Sequence, residues 1–344
     1  MPPKMNEQIL GAIEHCLRDQ EKVLDFWIRE YEFNLEQNMD VNQFIIMLKP
    51  ELTMIEEGVN VKALLNRILS MLKEHKIKVK SARILSSSYL LQNNLMEKHY
   101  GMLNQVSKFG LEKMSIEARN RLFKKFPYAI KDTKKVLGGH QFLSKHPNFS
   151  SYFLEVLTRN VKVNKLGAGI YAIEAVIDGE KYVILNPFHP CQVEWFTSPG
   201  KSVVLFECSS SREMKSIRRE TIGATDPQDA VQGSIKHMLL KEQERFGLSN
   251  ICTRFNGIHI SPGPIEGMAG LIHYFSDSKR TISFSETAFG NLLLRNGYSE
   301  KQIHSILENP EIQVGDRIGA IFELTEDCNS NESLELLKAY MGPF

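Results

Sequence analysis

Phe44-Ile45-Ile46-Met47-Leu48 is a run of five consecutive apolar residues, stopped at once by Lys49-Pro50. A run this short and this apolar reads as a buried strand, ended by the proline. It commits the chain to a sheet with a covered face. It also leaves a lysine at the strand's carboxyl end, where a cation can reach into a site. A helix over Val61–His75 follows, with Leu64, Ile68, Met71 and Leu72 on one face, then a strand from Ile77 through Val79 to Leu85. With a further helix from Ser88 toward His99, the block is a strand–helix–strand–helix unit.

That rhythm stops at Gly101 and resumes after Asn186. Between them the sequence is mostly helical and ends in a predicted hairpin, Gly169–Ile177 and Glu180–Leu185 around the turn dipeptide Asp178-Gly179. Beyond it come a strand over Ser202–Glu207, a helix over Ser211–Ile222, a short strand at Gly257–Ile260 and a helix over Ile265–Phe275. A capped helix is predicted at Ser299 with Gln302, and a closing one near Ser333–Tyr340. Upstream, Leu10, Ile13, Leu17, Leu24, Trp27, Ile28 and Tyr31 recur at helical spacing from Asn6 to about Gln37.

A length of 344 residues fits two domains, or one domain with a large insertion. Hydrophobic residues at 42% can fill a substantial core, which excludes wholesale disorder. The 42 Lys and Arg nearly cancel the 41 Asp and Glu, so the total charge gives no sign of a dedicated nucleic-acid or membrane binder. The cancellation is uneven: residues 101–186 carry 14 Lys and Arg against 7 Asp and Glu. Five scattered cysteines, Cys16, Cys191, Cys208, Cys252 and Cys328, read as reduced thiols rather than a disulfide framework or zinc site. With no apolar stretch of signal-peptide or membrane-spanning type, the expected address is the cytoplasm.

Three places can carry chemistry. Arg218-Arg219-Glu220-Thr221-Ile222-Gly223-Ala224-Thr225-Asp226-Pro227 ends a helix in a Gly/Thr/Pro loop, and guanidinium forks and a threonine hydroxyl suit phosphate oxygens. Asn256-Gly257-Ile258-His259-Ile260-Ser261 puts a histidine on a strand, and imidazole can serve as a nucleophile. Lys49 is the third. Each alone also has an ordinary reading, as a solvated helix end, a core histidine or a strand-end lysine.

In this order the pieces resemble the nucleoside diphosphate kinase family. The resemblance rests on Phe44–Glu51, Glu97-Lys98-His99-Tyr100, Pro187-Phe188-His189-Pro190, Gly200–Glu207, Arg219, Ile222–Pro227, Gly233–Lys236 and Asn256–His259, and covers about 43–100 and 187–275. It implies an α/β fold of the ferredoxin-like kind, an antiparallel sheet covered by helices on one face. The implied organisation is an N-terminal helical extension over 1–40, a first kinase-like part over 41–100 and a basic inserted subdomain over 101–186. A second kinase-like part over 187–280 and a C-terminal helical extension over 281–344 complete it.

The resemblance implies that His259 takes the γ-phosphate of a nucleoside triphosphate as phosphohistidine and passes it to a diphosphate. Lys49 and Tyr100 stand beside the reacting groups, Arg219, Thr225 and Lys236 hold phosphates, Asn256 bonds the ribose, and Phe188 stacks on the base. Mg²⁺ comes with the nucleotide, with no protein metal ligands expected. Partners implied are nucleoside tri- and diphosphates and a second copy of the chain, with an acidic partner for the basic insert.

Three positions depart from the family. Lys236 stands for an arginine, Pro262 for an aspartate that helps hold magnesium, and Gly270 for the glutamate that orients the histidine. Glu266 is read as a solvent-facing helix residue. The departures leave two rival functions open: a nucleotide-binding regulatory or interaction protein with reduced turnover, and an effector-like transferase acting on a macromolecule.

Overall fold

The computed structural model describes residues 4–29, 42–167, 169–277, 280–315 and 317–341. The chain forms two compact units, one of Met1–Tyr89 with Pro199–Phe344 and the other of Leu90–Ser198.

The first unit is built on a five-stranded antiparallel sheet: β1 (Asp25–Arg29), β2 (Asn42–Leu48), β3 (Lys78–Ser86), β4 (Ser202–Ser210) and β5 (Ile258–Ile260), in the order β1-β3-β4-β2-β5. Helix α1 (Met5–Arg18) precedes it, and α2 (Val61–Glu74) links β2 to β3. Because β4 lies between β2 and β3, this passage is a split strand–helix–strand. The return from β4 to β5 runs through a π-helix (Ile217–Ile222) and helix α3 (Ile235–Lys241).

Every residue of β2 is buried. Alternate side chains point to opposite faces, so both faces are covered, not one as expected. Helix α4 (Pro264–Tyr274) closes the face that carries Ile45. Its Gly270 sits so near that a Cβ there would meet Ile45 Cδ1 at 2.9 Å.

The segment after residue 280 is not helical throughout. It contains the hairpin Glu311–Val314 with Arg317–Ala320, which sequence periodicity missed. Its Phe289, Leu293, Ile303 and Leu337 share one core with Ile265 and Met268 of α4.

The expectation of a helix through Leu24, Trp27 and Ile28 fails. These residues lie in or beside the edge strand β1, paired with β3 from Asp25 opposite Leu85 to Arg29 opposite Ser81. The physical reason is tertiary: Arg83 of β3 is fully buried and needs Asp25 and Trp27 around it. Its guanidinium makes two hydrogen bonds of 2.7 Å to the Asp25 carboxylate and lies 4.5 Å from the Trp27 ring centre. Tyr31 and the stretch to Gln37 fall outside the described residues.

The second unit holds a four-stranded sheet, ordered Val136–Gly138, Glu180–Leu185, Ile170–Ile177, Asn164–Gly167. The predicted hairpin is present, with Asp178 and Gly179 at φ +51° and +78°, as a tight turn matched to strand twist requires. The helix expected from Ser88 toward His99 is broken in two, at Gln92 and Leu95, around Asn94 at φ +51°. Among the described residues no helix is long and apolar enough to cross a membrane.

Candidate anion-binding site

Lys49 follows β2 in extended conformation and leads into a turn of 3₁₀ helix, Pro50–Leu52. Its backbone N–H donates to the Gly257 carbonyl at 2.8 Å, continuing the β2–β5 ladder. Its buried Nζ donates to Asn256 Oδ1 at 2.7 Å. The Asn256 amide nitrogen donates in turn to the carbonyls of Thr225 and Thr253, at 3.0 and 3.2 Å. Gly257 N donates to Glu51 Oε1 at 2.9 Å.

Gly257 adopts φ +74°, where a Cβ would meet Leu239 Cδ1 at 2.6 Å, so only glycine brings the strand this close. Two residues on, His259 pairs with Met47. Paired residues share a face, and alternation along β2 puts Met47 and Lys49 on it too. His259 is half-buried there.

Lys236, on α3, is buried, and among the described residues it has no hydrogen-bond or ion-pair partner. Burial pushes its ammonium pKa down to about 7, helped by the charges of Lys49 and Arg218. Burial likewise lowers the Lys49 pKa, against the opposing pull of Glu51 and Cys252. Two buried ammonium groups and a guanidinium thus repel one another across a small space. Arg218 is paired with Glu326 and Asp327 and Lys49 with the Asn256 amide, so Lys236 is the cation left for an anion to balance.

The loop that closes this space leaves the π-helix at Gly223. A Cβ on Gly223 would press on Ser234 Oγ at 2.7 Å and Lys236 Cβ at 3.2 Å. The structure therefore gathers Lys49, Asn256 and the Thr225 backbone into one hydrogen-bonded chain, with Lys236 against the same loop. Arg219 and the Thr225 side chain are exposed.

Tyr100 and Phe188 belong to the other unit. There the Tyr100 ring meets His189 edge-on at 5.6 Å between centres, and Phe188 meets Tyr171 at 5.6 Å.

One carboxylate corrects the sequence reading. Glu266 does not face solvent: although the residue as a whole is half-buried, its Oε2 is shut off from water and has no hydrogen-bond partner. Burial raises its pKa to about 8, with Arg218 pulling the other way. A side chain at Gly270 would press on Ile45, whose Cδ1 would have to shift. The signal for Glu266 was a lone acid in the first turn of an otherwise apolar helix.

A carboxyl whose pKa is higher folded than unfolded destabilises the fold as pH rises between the two values. The window here is about pH 4.5 to 8, and the loss about 4 kcal/mol. Glu266→Gln is expected to remove that slope. Urea unfolding at pH 5 and pH 8 should separate wild type but not the variant; equal slopes in both would refute the assignment.

Among the described residues no three His, Cys, Asp or Glu side chains are grouped to hold a metal ion. The donors gathered at the site are cations and an amide, which do not fit a protein-held Mg²⁺.

No family model and no curated relative matches the sequence. Two solved structures are similar to the chain. One is a nucleoside-diphosphate kinase from Borrelia burgdorferi, a transition-state mimic with bound vanadate and ADP. It has 14% identity and a TM-score of 0.33, over 72% of this chain and 93% of that one. The other is an NDP kinase from Pyrobaculum aerophilum, with 16% identity and a TM-score of 0.34, over 71% of this chain and 100% of that one.

Proposed function

We propose that the first unit, with the ferredoxin-like nucleoside diphosphate kinase fold, binds the phosphates of a nucleoside triphosphate and moves the γ-phosphoryl group through His259. The observation that carries the reading is Lys236, a buried residue whose ammonium has no partner among the described residues, set against the Lys49–Asn256–Thr225 chain. In the first step a ring nitrogen of His259 forms a bond to the γ-phosphorus while the bond to the bridging oxygen breaks, and the diphosphate leaves. In the second, a terminal oxygen of an acceptor diphosphate attacks that phosphorus and the P–N bond breaks.

Lys49 and Lys236 supply charge against the transferring group, so positioning and electrostatics carry the step. Arg219 and the Thr225 hydroxyl would take the distal phosphates. Mg²⁺ would arrive as part of the nucleotide, and no step depends on a protein ligand to it.

Incubation with γ-labelled ATP is expected to leave an acid-labile, alkali-stable label on the protein. ATP binding without such a label would favour the second reading, a nucleotide-binding protein without turnover. Gly270 and Pro262 support that alternative, because neither position provides the carboxylate that resemblance would place there.

Lys236→Met separates binding from stability. A lysine whose pKa is lower folded than unfolded destabilises the fold at pH 7, and that cost fades only as pH rises toward 10.5. The variant is expected to be about 4 kcal/mol more stable than ligand-free wild type at pH 7. Its affinity for ATP should fall about 30-fold, since a charge-assisted phosphate contact is lost. Calorimetry showing unchanged ATP affinity would remove Lys236 from the site.

A further inference from the structure

Residues Glu326 to Ser330, distant in sequence from Lys49 and Asn256, are bonded to the start of β2, to the loop after β5 and to the helix that precedes the Thr225 loop. Glu326 Oε1 accepts from Arg218 at 2.7 Å, and Asp327 Oδ1 accepts from the same guanidinium. The Asp327 backbone N–H donates to the Pro262 carbonyl at 3.1 Å, in the loop that leaves the His259 strand. Asn329 Oδ1 accepts from Met214 N and from the Asn42 side chain, both at 2.9 Å. Ser330 N donates to Asn42 Oδ1 at 3.1 Å. One turn thus ties together the start of β2, the exit from β5 and the helix between β4 and the phosphate loop.

That last helix is where such a brace matters. Residues Ile217–Ile222 form a π-helix, closed by Gly223 N donating to the Arg218 carbonyl at 2.9 Å. A π turn inserts one residue per turn and persists only where its surroundings hold it. Arg218, fixed at its far end by two carboxylates, holds it from one side. Arg212 donates to Thr221 Oγ1 at 3.0 Å and to Glu220, holding it from the other. Along this helix Arg218 turns to the carboxylates while its neighbour Arg219 is exposed.

We infer that Glu326 and Asp327 are positioning residues for the phosphate site, acting through Arg218 to hold the π-helix that aims Arg219 and delivers the Thr225 loop. The inference rests on the nucleotide reading above. Neither carboxylate touches the ligand; each sets the geometry of groups that do.

The test compares wild type with Glu326→Gln/Asp327→Asn, using ATP, inorganic tripolyphosphate and adenosine as probes in calorimetry. The double variant is expected to lose about tenfold in affinity for ATP and tripolyphosphate while its affinity for adenosine is unchanged. Asp327→Glu, which keeps the charge, should retain most of the phosphate affinity. A brace that served stability alone would lower the melting temperature and leave the ratio of ATP to adenosine affinity unchanged, and that result would overturn the inference. Should the double variant fail to fold, Glu326→Gln alone is read by the same ratio. If wild type binds neither ATP nor tripolyphosphate, the nucleotide reading fails and the inference falls with it. If wild type binds both and the ratio is unmoved, only the inference falls.

Discussion

Replacing His259 with alanine is expected to abolish the acid-labile label from γ-labelled ATP and to lower exchange between nucleoside tri- and diphosphates by at least about a thousandfold, the usual scale for loss of a covalent nucleophile. The expectation follows from position. His259 lies two residues after Gly257, opposite Met47, on the sheet face that Lys49 shares. No neighbouring imidazole lies on β5, whose three residues are Ile258, His259 and Ile260. On the proposed reading ATP affinity should change little, because Lys49, Lys236 and the Thr225 loop would hold the phosphates. Label that persists undiminished in the variant would exclude His259 as the relay, whatever the nucleotide affinity.

Asp25→Ala is expected to destabilise the protein by about 3–5 kcal/mol, the cost of leaving a buried charge without its partner. Arg83 is fully buried, and its remaining hydrogen bonds go to neutral groups: the carbonyls of Tyr274 and Ser276 and the Tyr89 hydroxyl. Asp25 supplies the only carboxylate in that set, through two bonds of 2.7 Å. Removing both charges together, as Arg83→Met with Asp25→Leu, should cost less than Asp25→Ala alone, since no orphan charge remains. Thermal unfolding of the three proteins checks the order. A drop under about 1 kcal/mol for Asp25→Ala would mean that water or a rearranged side chain replaces the carboxylate.

The parts of the fold legible in the sequence were those whose signal is local. The apolar run of β2 is stopped by Pro50, and Asp178-Gly179 closes its hairpin. Ser299 and Gln302 form their capping box, and α2 spans the residues its periodicity marked. At the site, Lys49 is bonded to Asn256 and its charge acts on Lys236.

What failed was set by partners distant in sequence. Trp27 and Ile28 keep helical spacing with the residues before them, yet they form a strand because Arg83, more than fifty residues later, needs Asp25 beside it. Glu266 read as a surface acid because its helix alone cannot show what covers it. Arg218 and Arg219 were indistinguishable as neighbours in a basic helix end, and only the π turn separated their directions.

The sequence by itself determined the order of the central strands and helices around β2 and the turn chemistry. Side-chain periodicity and backbone preference act over a few residues, and these features need no more. Tertiary structure alone decided that Lys236 is buried without a partner among the described residues, that Glu266 is hidden, and that a turn near the C-terminus braces Arg218. Burial and charge pairing depend on which distant segments meet, and no local pattern encodes that.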